Sequence, residues 1–408
     1  MAKGEIFNAR VERIAAGGAG IARLNGKSIF IELTAPGDFV RGRIKKDNKT
    51  WAEAEILSVL EPSPLRVEPV CALYGACGGC SLQHMGYDAQ IDAKTAILRD
   101  AFIRIGSINP PEIRIRRSAP FEYRNRVRFH CENSGKTRVK PHIGFKERKS
   151  SRLVAVEDCP IAESGIRKAL KEGKIPPSVL RQPPDKDSFT VFSSGDTFLC
   201  EGGSEQGRVA VLGRELAMDV RAFFQANIAM LELLITDLIP LAAAADKTKP
   251  LADIYCGIGT FASFLEGFPG NSGFPGNPRF PEVDLVEENK KTLAIARENV
   301  REKNINYYAL SDTEWVKDTL LNRRDRSWGF MILDPPRGGL SGPLREFLAQ
   351  NGSELLAYVS CDPATLARDS VVLLKGGYNL KELTLYDFYP QTAHIESLAF
   401  FCRAPGGT

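Results

Sequence analysis

From about residue 226 the chain repeats one pattern: a short apolar run, then a stretch of helical spacing, then another apolar run. Residues 231–241 have helical spacing, and 251–255, 283–287, 330–334 and 355–360 are the apolar runs. Uninterrupted apolar strands between helices belong to a parallel sheet covered on both faces, because a half-exposed strand would alternate polar and apolar. This carboxyl-terminal part therefore reads as a doubly wound, Rossmann-like α/β domain. In such a sheet ligands gather at the carboxyl ends of the strands. The residues that close each run are thus the ones to inspect.

The first run leads into Asp253-Ile254-Tyr255-Cys256-Gly257-Ile258-Gly259-Thr260-Phe261, a strand entering a glycine loop and then a helix. Glycines there let backbone approach a nucleoside closely. The second run ends in Glu287, an acid placed to bond ribose hydroxyls. It stands 30 residues beyond Gly257, against an ordinary spacing of ~20. The surplus is an insertion at 268–281 that holds the sequence FPGN twice and carries no assigned chemistry. The third run closes in Asp334-Pro335-Pro336-Arg337 and the fourth in Val359-Ser360-Cys361-Asp362-Pro363. A cysteine at that edge faces the ligand crevice and reads as a nucleophile. Near the chain end Glu396, in His394-Ile395-Glu396, is either a paired structural acid or a catalytic base.

The amino-terminal half has another texture. Residues 1–60 are short alternating strands punctuated by Gly17-Gly18 and Pro36-Gly37, the pattern of a small OB-like β-barrel. Residues 87–106 form an amphipathic helix through Ile91, Leu98, Phe102 and Ile105. In 123–129 the period of two sets Arg124, Arg126 and Arg128 on one face and Tyr123, Val127 and Phe129 on the other. The whole chain has a net charge of only +4, yet residues 94–152 hold 16 Lys/Arg against 5 Asp/Glu. A basic segment on an acidic remainder predicts contact with phosphates of a nucleic acid.

Nine cysteines stand in a chain that starts without the apolar core of a signal peptide and lacks a membrane-length apolar run. A cytoplasmic protein with reduced thiols is expected, and membrane attachment is not. Under those conditions cysteines point to metal or catalysis. Cys71, Cys77 and Cys80 form a C-x₅-C-x₂-C cluster among glycines, with Cys159, followed by Pro160, as the fourth ligand. Three local cysteines with a distant fourth before proline suit a 4Fe-4S cluster, with zinc or plain reduced thiols as the alternatives.

Acid-Pro-Pro after an apolar strand recurs in nucleobase methyltransferases, and Arg337 stands where the adenine-N6 enzymes carry an aromatic residue. Taken together, these residues resemble the RNA uracil-C5 methyltransferases, in the branch with a TRAM domain and a 4Fe-4S cluster. The match runs through nearly the whole chain in order. The resemblance implies S-adenosylmethionine as methyl donor, held by Gln225, Tyr255, Thr260, Glu287, Asp312 and Asp334. It implies Cys361 as nucleophile, Glu396 as general base, and Cys71, Cys77, Cys80 and Cys159 as cluster ligands.

The expected division is a TRAM barrel at 1–62, a central β-rich iron–sulfur and RNA-contacting domain at 63–86 and 107–215, and a methyltransferase domain at 87–106 and 216–408. The expected partner is RNA, ribosomal in preference to transfer RNA, and the expected state a monomer. A 5-methylcytosine RNA enzyme would commonly carry a second cysteine beside Asp334, where Pro335-Pro336 offers none. The competing readings are a methyltransferase for another pyrimidine and an RNA-binding protein with a structural metal and a degenerate methyltransferase domain.

Overall fold

A computed structural model describes residues 2–132, 142–175, 188–265, 279–300 and 304–403. Most of the FPGN insertion lies outside the described residues. The chain divides into two compact units. The first comprises Met1–Ile97, Ala119–Val191 and Tyr389–His394; the second comprises Leu98–Ser118, Phe192–Phe388 and Ile395–Thr408.

The first unit begins with a closed five-stranded barrel of Ile6–Ile14, Gly20–Leu24, Lys27–Ile31, Phe39–Asp47 and Trp51–Glu61. Alternation directs Phe7, Val11, Ile29, Ile31, Val40, Ile44 and Ala52 into its core. Gly42 is required for closure: a Cβ there would lie 2.6 Å from the Phe7 ring. Beyond the barrel, His142–Lys146 pairs antiparallel with Arg126–Glu132 and with Leu153–Ala155. Tyr123, Val127 and Phe129 are buried, as their alternation predicts. The strand nevertheless starts at Arg126, because Glu122 and Arg124 are held by another segment. Their amides donate to Pro160 and Ile161 carbonyls at 3.0 and 2.8 Å.

The helix expected at 87–106 spans Tyr87–Arg104, and the division between the units falls within it. Ile91, Leu98 and Phe102 are buried, whereas Ile105 lies past the helix end and is 52% exposed. Lys94, counted above in the basic segment, is wholly buried and its Nζ donates to the Tyr389 carbonyl at 2.9 Å.

The second unit is built on an eight-stranded sheet. Its order is Ile305–Tyr308, Val283–Val286, Leu251–Ile254, Phe330–Leu333, Leu355–Ser360, Glu396–Arg403, Tyr378–Tyr386 and Ile113–Arg116. Neighbours are parallel except at Glu396–Arg403, which runs antiparallel to both of its partners. Strand order reverses beside Leu251–Ile254, so the crevice for a ligand opens at its carboxyl end. Among the described residues no helix is long and apolar enough to cross a membrane.

Candidate active site and thiol cavity

The carboxyl edge of the large sheet collects most of the residues singled out by the sequence. Tyr255, Glu287 and Asp334 each follow the last residue of a parallel strand, and Cys361 follows Ser360 in the same way. Glu396 reaches this edge by a different route. It is the first residue of the antiparallel strand, so its start lies where the parallel strands end.

At the glycine loop Tyr255 has φ +65°, and Gly257 and Gly259 have φ +55° and +79°. A left-handed non-glycine residue costs roughly 1–2 kcal/mol, so something must hold Tyr255 in place. Its hydroxyl donates to Asp312 Oδ2 at 2.6 Å. The Asp312 carboxylate also accepts from the Thr313 and Ser341 amides at 2.6 and 3.2 Å. Gly259 packs so closely that a Cβ would lie 2.8 Å from Val300. Glu287 accepts from the Gly257 amide at 3.2 Å and from Asn289 N at 2.8 Å, which ties the second strand's end to the loop. Thr260 sits partly exposed at the end of the loop.

Asp253 is a site residue that sequence reasoning passed over. It is fully buried; Oδ2 accepts from Ala262 N at 3.1 Å, and Oδ1 has no partner among the described residues. Burial, reinforced by Asp334 and Glu287, pushes its carboxyl up to about 8. The available signal was a lone acid inside the apolar strand Leu251–Ile254. Gln225 presents the same feature: its side chain is buried, Nε2 reaches Asp334 Oδ2 at 3.5 Å, and Oε1 is unpartnered among the described residues.

Cys361 and Glu396 are brought together by register. Ser360 pairs with Ser397, so one further antiparallel step sets Cys361 across from Glu396. Asp362 caps the helix Pro363–Lys375 by accepting from the Ala364 and Thr365 amides, both at 2.9 Å. Cys361 therefore sits beside a helix amino terminus, whose partial positive charge favours a thiolate.

Two carboxylic acids crowd the thiol here. Burial, then Glu396 and Asp334, push the Cys361 thiol up to about 12, while Arg337 pulls it down. Burial pushes Asp334 up to about 7. Burial and the neighbouring Asp334 also raise Glu396 well above the carboxylate range, again opposed by Arg337. Arg337 is thus the cation that serves this group, a role its position after Pro335-Pro336 did not announce.

In the first unit Cys71, Cys77, Cys80 and Cys159 line a single cavity of about 140 Å³. Backbone bonds hold the loop around it: Cys77 N donates to Leu73 O at 2.9 Å, Gly78 N to Lys146 O at 3.0 Å, and Arg148 N to Ala76 O at 2.9 Å. Burial raises the Cys77 and Cys159 thiols and pushes Cys80 up to about 12. Among the described residues no three metal-binding side chains converge as on a single ion. Arg124 and Arg128 line the same cavity. Val127, from the opposite face of the strand, lines it too, and Arg128 remains exposed.

Residues 206–404 match the tRNA (Uracil-5-)-methyltransferase family, and residues 2–57 match the TRAM domain. An uncharacterized RNA methyltransferase of Treponema denticola is 31% identical over 424 residues, covering 96% of this chain and 98% of the relative. The 23S rRNA (uracil(1939)-C(5))-methyltransferase RlmD of Aeromonas hydrophila is 30% identical over 431 residues, covering 94% and 93%. The crystal structure of Pyrococcus abyssi tRNA (uracil-54, C5)-methyltransferase with S-adenosyl-L-homocysteine superposes with a TM-score of 0.68. At 22% identity, over 97% of this chain and 100% of that one, it shows a shared fold. With the relatives matching along almost the whole length, the chain belongs to the RNA uracil-5-methyltransferase family and carries that family's TRAM barrel at its amino-terminal end.

Proposed function

We propose that this protein methylates carbon 5 of a uridine in ribosomal RNA, with S-adenosylmethionine as donor and a covalent Cys361–uracil adduct on the way. The observation that carries the reading is the register pair Ser360–Ser397, which sets a cysteine and a buried glutamate opposite each other at the ligand-binding edge. The likeness to RlmD enzymes that act on 23S rRNA supports ribosomal over transfer RNA.

The donor set fits S-adenosylmethionine. Asp253 Oδ1 and Gln225 Oε1 are buried acceptors without protein partners among the described residues, suited to amino and hydroxyl groups. Gln225, Tyr255, Thr260, Glu287, Asp334 and Asp312 would hold it, the last by fixing Tyr255. When bound, it supplies an electrophilic methyl group. The chain's own residues do the rest. Carbon 5 of uracil is a poor nucleophile, so the Cys361 thiolate adds to carbon 6 and pushes electrons onto the O4 side as an enolate. Carbon 5 then carries nucleophilic character. Once it is methylated, Glu396 takes the carbon 5 proton, the ring recovers its double bond, and the carbon 6–sulfur bond breaks to return the thiolate. The uridine must leave its stack to reach this edge. Incubating the protein with an rRNA transcript and methyl-labelled S-adenosylmethionine, then digesting to nucleosides, should give labelled 5-methyluridine. Label in any other nucleoside, or none with intact donor binding, overturns the reading.

The same proposal assigns a 4Fe-4S cluster to Cys71, Cys77, Cys80 and Cys159. Zinc needs four thiolates within about 2.3 Å of one point, whereas a cubane takes one thiolate at each of four separated irons. Four cysteines lining one cavity of about 140 Å³ support the second. When bound, the cluster ties the 71–80 loop to the segment around Cys159, which is a folding contribution. Anaerobically purified protein is expected to be brown with about four irons per chain, and Cys159→Ser should lower iron and melting temperature together. Stoichiometric zinc without iron in that preparation contradicts the cluster.

A further inference from the structure

Arg337, the cation that serves Cys361, is an exposed residue on the loop after Asp334. An exposed arginine on a loop wanders unless its backbone is tied down. The helix Pro363–Lys375, which begins two residues after Cys361, grips this loop along its length. Thr365 shares its hydroxyl proton between the Arg337 and Asp362 carbonyls, at 3.3 and 3.2 Å. One turn on, Arg368 Nη2 donates to the Gly338 carbonyl at 2.9 Å. Asp369 Oδ2 then accepts from the Leu340 amide at 2.9 Å. Arg345 closes the set, donating to the Leu340 carbonyl at 2.9 Å and to Asp369 Oδ1 at 3.0 Å. Gly339 lets the two pieces meet: its φ is +72°, and a Cβ there would lie 2.6 Å from Asp369 Oδ2.

Packing alone does not call for this arrangement. Asp369 is wholly buried, and beside Arg345 it takes the Arg368 guanidinium and the Tyr358 hydroxyl at 2.8 Å. A buried ion network of this kind adds little stability over apolar side chains of similar volume. What it does provide is direction, since every member must sit in one geometry to be satisfied. Direction matters here because the effect of a cation on a thiol falls with their separation. The Thr365 hydroxyl ties the Arg337 backbone to Asp362, the residue next to Cys361. We propose that Thr365, Arg368 and Asp369 are positioning residues that clamp the 337–340 loop to the helix following Cys361 and so hold the Arg337 guanidinium at the nucleophile. The inference rests on the reading of Cys361 as the nucleophile and names what keeps its cation in place.

Alkylation of the full chain reads this directly, because the thiolate is the reactive form and Cys361 is partly exposed. The protein would be treated with iodoacetamide at several pH values, and the Cys361 peptide followed by mass spectrometry. Arg337→Gln sets the scale: loss of the neighbouring cation should slow alkylation about tenfold at each pH. Thr365→Val, Arg368→Met and Asp369→Asn should each slow it by about two- to tenfold. In the Arg337→Gln background the same three changes should add nothing, since they act through that residue. Charge gives a second discrimination. Losing the Arg368 charge by itself would slow the reaction, whereas losing the Asp369 charge by itself would speed it. Slowing in both variants therefore reads the placement of Arg337. Faster alkylation in Asp369→Asn overturns the proposal, and so does equal slowing with and without Arg337, which would mark a general loosening. Wild-type rates in Thr365→Val and Arg368→Met overturn it too. Neither of those side chains is buried, so they test the clamp even where Asp369→Asn fails to fold. Formation of 5-methyluridine is scored separately in the wild type. Its absence removes the uracil reading and leaves the alkylation result standing; its presence with unshifted alkylation removes only the clamp.

Discussion

Cys361→Ala is expected to lower 5-methyluridine formation by about 10⁴-fold or more, the scale seen when a covalent nucleophile is removed. No RNA–protein adduct should form, and S-adenosylmethionine binding should be unchanged, because the donor contacts lie on other strands. Cys256 cannot substitute, since it is 4% exposed and burial holds its thiol well above the ordinary range. The wild-type pH profile provides an independent check. A thiol pushed up to about 12 is almost wholly protonated at neutral pH. The thiolate fraction then rises about tenfold per pH unit. Under subsaturating RNA, kcat/KM should climb with pH from 6 upward, and removing the positive charge in Arg337→Gln should move the whole profile to higher pH. Methylation by Cys361→Ala at the wild-type rate would eliminate the covalent mechanism.

The parts of this site that were legible in the sequence are those set by local pattern. Four apolar runs between helices imply a parallel sheet, and a parallel sheet implies that Tyr255, Glu287, Asp334 and Cys361 share an edge. The barrel was legible for a similar reason: strict alternation around Ile29 and Ile31 leaves one face for a core. What escaped depends on long-range placement. Glu396 was singled out as a candidate base, but its route to the site was not legible: it opens a strand instead of closing one, and it reaches the edge because Glu396–Arg403 runs antiparallel. Local sequence carries no sign of strand direction. Period two correctly separated exposed Arg128 from buried Val127 and Phe129, but could not say that Arg124 and Arg128 line one cavity with the four cysteines. Lys94 counted as surface charge, although the Tyr389 carbonyl, almost 300 residues away, receives it in the interior. Asp253 was hidden by its own setting, since a buried acid without a full set of partners breaks the rule by which polar residues are assigned to the surface.

Glu396→Gln should fail in a different way from Cys361→Ala, and that difference separates the two roles. Addition of Cys361 to carbon 6 and arrival of the methyl group at carbon 5 need no base at residue 396. Removal of the carbon 5 proton does. The amide of glutamine cannot accept that proton, so the methylated ring stays bonded to sulfur. The expected product is one RNA-linked chain per active site that survives denaturation and carries the transferred methyl label. Released 5-methyluridine should fall by about 10²–10⁴-fold, the usual contribution of a general base. Glutamine keeps the size and shape of the glutamate it replaces at this buried position. The variant should therefore fold and bind the donor normally. Removing a neighbouring acid also lowers the Cys361 thiol, so adduct formation in Glu396→Gln should be no slower than in the wild type. Accumulation of unmethylated adduct would instead place Glu396 before methyl transfer. Normal turnover without any adduct would show that another group takes the proton.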